Sequence, residues 1–134
     1  GRLAVAPEHA NYPVYLFWFH FANSSLTAME MARMMLVAAG GRDGEGSLAF
    51  AEERIDTAFG LVENQLGRTA HIAGEAFTAA DIMLLFPLTT MRHFMPKDLA
   101  GYPNILGYLK RIGEREAYRR AMAKADPGML PLLA

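Results

Sequence analysis

The sequence predicts an all-α domain, a helical bundle of about five helices, and three observations lead to that prediction. Apolar residues recur at helical spacing in five segments of the chain. Glycine and proline residues separate those segments, and no segment alternates apolar and polar residues as a half-buried strand does. The 134 residues, 52% of them hydrophobic, are enough for one domain with one core, so we expect residues 1–134 to form a single domain.

A long first helix is predicted from Pro13 to Ala39. Proline suits a first turn because its missing N–H would have no partner there. Gly40 and Gly41 end the helix, since glycine adopts the left-handed C-cap conformation at little cost. The polar run Asn23-Ser24-Ser25 interrupts an otherwise apolar helix. These side chains either line a cavity or bond back to the helix backbone, and composition alone favours neither.

A second helix is predicted after the glycine-rich stretch 40–46, with Ser47 as its N-cap and Leu66 as its last residue. One stripe of apolar residues at helical spacing marks its buried face. The stripe consists of Leu48, Ala51, Ile55, Ala58, Phe59, Val62 and Leu66.

The third helix is marked by a capping box. Thr78 is the predicted N-cap, and Asp81 at the third helical position can reach back to its backbone N–H. Phe77 and Ile82 can form a hydrophobic staple across this helix start. The body, 82–88, is apolar on every side, which predicts a helix surrounded by protein. Pro87 should kink it or displace one backbone bond.

Two shorter helices complete the bundle. Tyr102-Pro103 opens the fourth, and the fifth is predicted from Glu114 to Lys124 before the break at 126–128. Within the fifth helix, Glu116 and Arg120 form a favourable i,i+4 pair, which favours a solvated face over an anion-binding surface. Its predicted buried residues are Ala117, Tyr118, Ala121 and Met122.

Composition excludes several functional classes. The 13 Lys and Arg against 14 Asp and Glu argue against nucleic-acid binding, which relies on phosphate neutralisation. No apolar run reaches the roughly 18 to 20 residues of a membrane span. Cysteine is absent, so disulfides, thiolate metal sites and a cysteine nucleophile are excluded within this chain. The four histidines lack metal-ligand spacing, so we expect no metal site. No signal peptide is visible, and we expect a cytoplasmic protein.

Four segments, in order, resemble cytosolic glutathione S-transferases. The stretch 72–82 resembles the region leading into the core helix of that family, which shares the capping box and staple. Residues 18–26 look like the first C-domain helix of bacterial and fungal members, and Phe86-Pro87-Leu88 is similar to one bacterial subgroup. Tyr102-Pro103-Asn104-Ile105 with 108–112 looks like the later helix pair. The resemblance spans about residues 2–128.

The resemblance implies the C-terminal helical domain of a bacterial-type glutathione S-transferase, a cytoplasmic detoxification enzyme. Its partner would be an N-terminal thioredoxin-like domain of the same protein, from which residues 1–12 lead in. That domain holds most of the glutathione site and the Ser, Tyr or Cys that activates the thiol. The helical domain forms the wall for a small apolar electrophile and part of a homodimer interface. Glutathione would be a co-substrate of the parent enzyme, and this chain alone would be inactive and bind none tightly.

The resemblance also implies site residues. The family's substrate-facing positions match Asn23, Ser24, Thr27 and Ala28, with Met31 one turn further on. Related sequences often carry Glu-Gly-Ser at 23–25, so this chain lacks that carboxylate. The other predicted wall residues are Met91 and Phe94. No catalytic residue is expected here, and the capping box has a folding role.

Two alternatives remain open. Met31 lies in a methionine cluster, 29–35, that suits core packing as well as an adaptable binding wall. A non-catalytic glutathione-transferase-like module for assembly or ligand storage is the alternative function. The sequence upstream of Gly1 would separate that module from the enzyme.

Overall fold

The computed structural model describes residues 2–42 and 44–134. Gly1 of the predicted lead-in and Asp43 of the predicted loop lie outside the described residues. The helical elements are, in chain order, α1 (Tyr12–Phe21), a π-helical segment (Ala22–Thr27), α2 (Ala28–Ala38), α3 (Gly46–Leu66), α4 (Ala79–Leu88), a 3-10 turn (Thr90–His93), α5 (Pro103–Glu114) and α6 (Glu116–Ala125). The all-α prediction is confirmed. Within the described ranges, the β-type backbone pairing consists of an isolated bridge between His71 and Gly74.

The first predicted helix is continuous but not uniform. Its extent agrees with the prediction, since α1, the π segment and α2 follow one another from Tyr12 to Ala38. Gly40, with φ of 88°, provides the left-handed residue after its end. The difference is the π segment at Ala22–Thr27, which widens one turn.

The helix α3 confirms its predicted stripe, since all seven predicted residues are buried. The predicted N-cap is wrong. Glu45 occupies the cap position, and Ser47 lies inside the first turn. The reason is in the backbone: the Glu45 carbonyl already accepts the N–H groups of Leu48 and Ala49, at 3.2 and 3.3 Å. The turn therefore starts before Ser47 can cap it.

The capping box of α4 is formed, as predicted. The Thr78 N–H donates to Asp81 Oδ2 at 2.7 Å. The other oxygen, Oδ1, accepts the Ile72 N–H at 2.9 Å and the Tyr108 hydroxyl at 3.2 Å. Asp81 is fully buried, so one carboxylate joins the start of α4, the preceding loop and α5. Burial, with the charge of Asp81 beside it, raises the pKa of Tyr108 well above its usual value.

The body of α4 differs from its prediction as a fully surrounded helix. Ala80, Leu84 and Leu88 are completely buried, but Ile82 and Phe86 are each 46% exposed. The helix therefore has protein on one side and an uncovered apolar face on the other. Pro87 is the penultimate residue of the helix, so the backbone bond that it cannot donate is lost in the last turn, and no further turn of α4 is displaced.

The last helix also differs from its prediction. It starts at Glu116 rather than Glu114, because Arg115 is extended, with ψ of 120°, and separates α5 from α6. None of its residues is buried, so the predicted burial of Ala117, Tyr118, Ala121 and Met122 is wrong. The physical reason is position: α6 packs chiefly on α5 at the edge of the bundle. The predicted ion pair between Glu116 and Arg120 is present.

The core lies where α1 and the π segment meet α3, α4 and α5. Its largest fully buried side chains include Leu26, Phe59, Ile72, Leu84, Leu88, Leu99, Ile105, Tyr108, Leu109 and Ile112. In the described part of the chain, no helix combines the length and apolarity that crossing a membrane requires.

Candidate functional site

The π segment contains three of the seven predicted wall residues. Its six residues, Ala22–Thr27, include Asn23, Ser24 and Thr27. The Ser24 Oγ donates to the His20 carbonyl at 2.8 Å, so this side chain bonds back to its own helix. Ser24 also lines two clefts, so the two alternatives left open by composition both apply to it. One-turn π segments in α-helices occur frequently at functional sites.

The remaining wall residues on this helix form a surface rather than a cavity. Asn23 and Ala28 are exposed, and Thr27 and Met31 are half-buried. The Thr27 Oγ1 is buried and has no hydrogen-bond partner among the residues that the structure describes. A buried hydroxyl without a partner costs about 1–3 kcal/mol. Thr27 thus holds a buried hydrogen-bonding group that the described residues leave without a partner.

Two open clefts flank Ser24. The larger, of about 480 Å³, is lined by Pro13, Leu16, Phe17, His20, Phe21, Ser24 and Ser25. The smaller, of about 250 Å³, is lined by Phe21, Ser24, Ser25, Met29, Arg54, Thr57, Ala58 and Leu61. Phe17 stacks on Phe21 at 5.6 Å yet remains 54% exposed. We use the name α1–α3 face for exposed Phe17 and Leu61, together with the buried Phe21 that lines both clefts. It is an exposed apolar surface of the kind that marks contact sites.

The structure separates the two further wall candidates. Met91, in the 3-10 turn, is only 2% exposed and belongs to the core, so it offers no surface to a ligand here. Phe94, just after that turn, is 61% exposed. Among five of the cavities in residues 2–42 and 44–134, the two clefts beside Ser24 are the ones that include a predicted wall residue.

An apolar cavity of about 470 Å³ lies between α4 and α6. Its lining is Arg2, Leu3, Phe77, Ile82, Leu85, Arg115, Ala117, Tyr118 and Ala121. The Arg115 guanidinium lies 3.9 Å from the centre of the Phe77 ring. The Ala79 N–H donates to the Leu3 carbonyl at 2.8 Å, which fixes the lead-in beside the cavity. Sequence reasoning missed this site because it assigned the apolar residues of both helices to the core.

A polar cavity of about 280 Å³ was also not predicted. It lies between α2, α3 and the segment after the 3-10 turn, and Glu30 forms part of its lining. Glu30 is 3% exposed, and burial raises its pKa to about 8, against a smaller opposing effect of the Lys97 charge. No pattern in the sequence indicates this cavity, because the burial of one acid depends on tertiary packing. In the described residues, no cluster of three or more His, Asp or Glu could hold a metal ion.

Comparison with known proteins gives a consistent family. The family model described as the glutathione S-transferase C-terminal domain matches residues 28–111. Glutathione S-transferase 3 of Schizosaccharomyces pombe is 31% identical over 74 residues, which are 54% of this chain and 30% of that protein. The chain therefore spans about a third of this curated relative.

Solved structures agree in fold. A glutathione S-transferase from Actinobacillus pleuropneumoniae superposes with a TM-score of 0.78 and 27% identity, over 94% of this chain and 56% of that one. A sphingomonad glutathione S-transferase complexed with glutathione gives 0.70 and 25%, over 95% and 60%. A Phanerochaete chrysosporium glutathione transferase in complex with oxidized glutathione, 18% identical over 92% and 57%, shares the fold with a TM-score of 0.74.

Proposed function

Because the chain belongs to the glutathione S-transferase C-terminal domain family, we propose that it is the electrophile-binding half of a glutathione transferase. The observation that supports this proposal is the π segment, which contains exposed Asn23 and the buried, unpartnered Thr27 hydroxyl at positions that the resemblance assigns to the substrate wall. Half-exposed Met31 extends the same surface with an adaptable apolar side chain. Exposed Ala28 and Phe94 add further apolar surface for a small electrophile.

In this proposal, another domain of the parent protein binds glutathione. An N-terminal thioredoxin-like domain would bind glutathione and supply the Ser, Tyr or Cys that activates its thiol. The thiolate is then the nucleophile. The wall on this chain orients the electrophile and excludes water, which lowers the barrier by positioning the reacting atoms. The parent enzyme is proposed to act in the cytoplasm, in detoxification.

We propose that the N-terminal domain packs over the apolar cavity between α4 and α6. The lead-in is fixed beside the cavity by the bond to Leu3, so a domain preceding it would lie close by. Packing there would cover Ile82, which is 46% exposed. An Ile82→Cys variant should react with a thiol reagent more slowly in the full-length protein than in this chain. Equal reaction rates in the two proteins would argue against this packing surface.

The substrate wall is tested by enlarging one residue. Thr27→Phe in the full-length protein should change the KM for an electrophile severalfold and leave the KM for glutathione nearly intact. If Thr27 were only structural, overpacking would instead lower stability by about 1–3 kcal/mol with unchanged kinetics. Thr27→Val, which removes the hydroxyl without changing the shape, isolates the hydrogen-bonding contribution.

Ala123→Phe on exposed α6 is the matched control, and we expect it to leave both KM values unchanged. A falling melting point with unchanged electrophile kinetics for Thr27→Phe would refute the wall assignment. A full-length protein that is folded but transfers glutathione to no electrophile would favour the alternative, a non-catalytic interaction or ligand-binding module.

A further inference from the structure

The polar cavity shares no residue with the proposed wall and does not depend on the transferase assignment. Its lining is Glu30, Arg33, Glu52, Ile55, Asp56, Met95, Pro96 and Lys97. At about 280 Å³ it lies just below the range of about 300–1,000 Å³ for drug-sized ligands, which suits a smaller molecule. One wall is charged, and Ile55, Met95 and Pro96 provide a short apolar wall.

The two cations of this cavity are already paired. The Arg33 Nε and Nη2 donate to Glu52 Oε1 at 3.1 and 3.0 Å. The Lys97 ammonium pairs with Asp56 and lies 5.4 Å from the centre of the Phe59 ring. An incoming anion would therefore have to compete with a carboxylate at each cation.

Glu30 is the charged side chain of this cavity that the described residues leave without a hydrogen-bond partner on one oxygen. It is 97% buried, lines the cavity, and its Oε2 has no hydrogen-bond partner among the described residues, whereas Glu52 and Asp56 each hold a cation. Three carboxyl groups face two cations, so ionised Glu30 leaves the cavity one negative charge in excess. A buried, unpaired carboxylate is costly, and a ligand that donates a charged hydrogen bond to it removes that cost.

We propose that this cavity binds a small organic cation, with a primary ammonium group that donates to the Glu30 carboxylate and a short alkyl chain against Ile55 and Met95. Nothing in this assignment uses the substrate wall, so its failure would leave the proposed transferase function untouched. Binding is coupled to ionisation, because Glu30, which holds its proton up to a pH of about 8 when the cavity is empty, must lose it to accept the ammonium.

The first test compares three probes of one shape. The 134-residue chain is titrated with n-butylammonium, n-butanol and butyrate at constant ionic strength, by calorimetry and by chemical shifts. We expect saturable binding of n-butylammonium alone, at about millimolar affinity for a ligand of about five heavy atoms. Tighter binding of butyrate would overturn the assignment in favour of an anion site. No saturation at all would mean a buried acid without a ligand, and would also overturn it.

The second test measures how the affinity for n-butylammonium depends on pH and how many protons binding releases. With a pKa of about 8, Glu30 is about one-tenth ionised at pH 7 and about nine-tenths at pH 9. The affinity for n-butylammonium should therefore rise about tenfold from pH 7 to pH 9, with about 0.9 proton released per ligand at pH 7. Release is measured by repeating the calorimetry in two buffers of different ionisation enthalpy. An affinity that falls with pH would contradict the proposal.

Glu30→Gln supplies the decisive variant. It should keep its melting midpoint at pH 7, since Glu30 is mostly neutral there and the amide has the same shape. Its affinity for n-butylammonium at pH 9 should fall at least tenfold, and the pH dependence should disappear. Glu53→Gln, an exposed acid on α3 that does not line the cavity, is the matched control and should bind like the unchanged chain. Unchanged binding by Glu30→Gln would refute the site.

Discussion

At the residue scale, Asp81 carries more of the structure than an ordinary capping residue. An N3 acid usually satisfies one backbone N–H, but this carboxylate accepts from Thr78, Ile72 and Tyr108. The Thr78–Asp81 pair was predictable from sequence, because a capping box is a local pattern. The bonds to Ile72 and Tyr108 were not, because they depend on how a loop and a distant helix pack.

These bonds predict unequal costs for the two capping-box residues. Thr78→Ala should lower the free energy of unfolding by about 0.5–2 kcal/mol, the range for a lost N-cap oxygen. Asp81→Ala should cost more, about 3 kcal/mol or above, because it leaves several buried donors without an acceptor at about 1–3 kcal/mol each. Urea denaturation measures both, with exposed Glu53→Ala as the control. Undiminished stability in both variants, or equal losses, would contradict this account of the helix start.

At the element scale, the spacing of apolar residues predicted where the helices begin and end better than it predicted which of their faces are buried. The stripe of α3 was fully predictable, since seven residues at helical spacing all face the core. The surroundings of α4 and α6 were not, because apolar residues there face open cavities that periodicity cannot distinguish from a core. The spacing of apolar residues also did not predict the π segment. The polar run at 23–25 lies within this segment, but nothing in that run indicates a widened turn.

Because of the π segment, we expect two single-residue deletions to lower stability by different amounts. A one-turn π segment acts as one extra residue inserted into an α-helix, so deletion of Ser25 should restore α-helix and keep the register of α1 and α2. Deletion of Ala32, within regular α2, should instead rotate every following residue of that helix by about 100° and disrupt its packing. We expect the melting midpoint to fall by several degrees more for the Ala32 deletion, measured by circular dichroism. Equal falls would show that the π segment is not such an insertion.

At the scale of the whole molecule, the chain exposes apolar surface of the kind that contact sites have. The α1–α3 face leaves Phe17 54% and Leu61 46% exposed, and we propose that a second copy of the full-length protein covers it. Phe17→Glu should then raise the dimer dissociation constant at least tenfold, measured by light scattering. Leu130→Glu, on the 82% exposed tail residue, is the control and should leave the dimer intact. A full-length protein that is monomeric at all working concentrations would rule out this interface.

The central claim is that this domain provides the electrophile wall and leaves glutathione to another domain. Calorimetric titration of glutathione into the 134-residue chain, beside the full-length protein, tests it most directly. The account predicts binding by the full-length protein and an affinity at least a hundredfold weaker for this chain, a difference of about 2.7 kcal/mol. Micromolar binding of glutathione to this chain alone would contradict it.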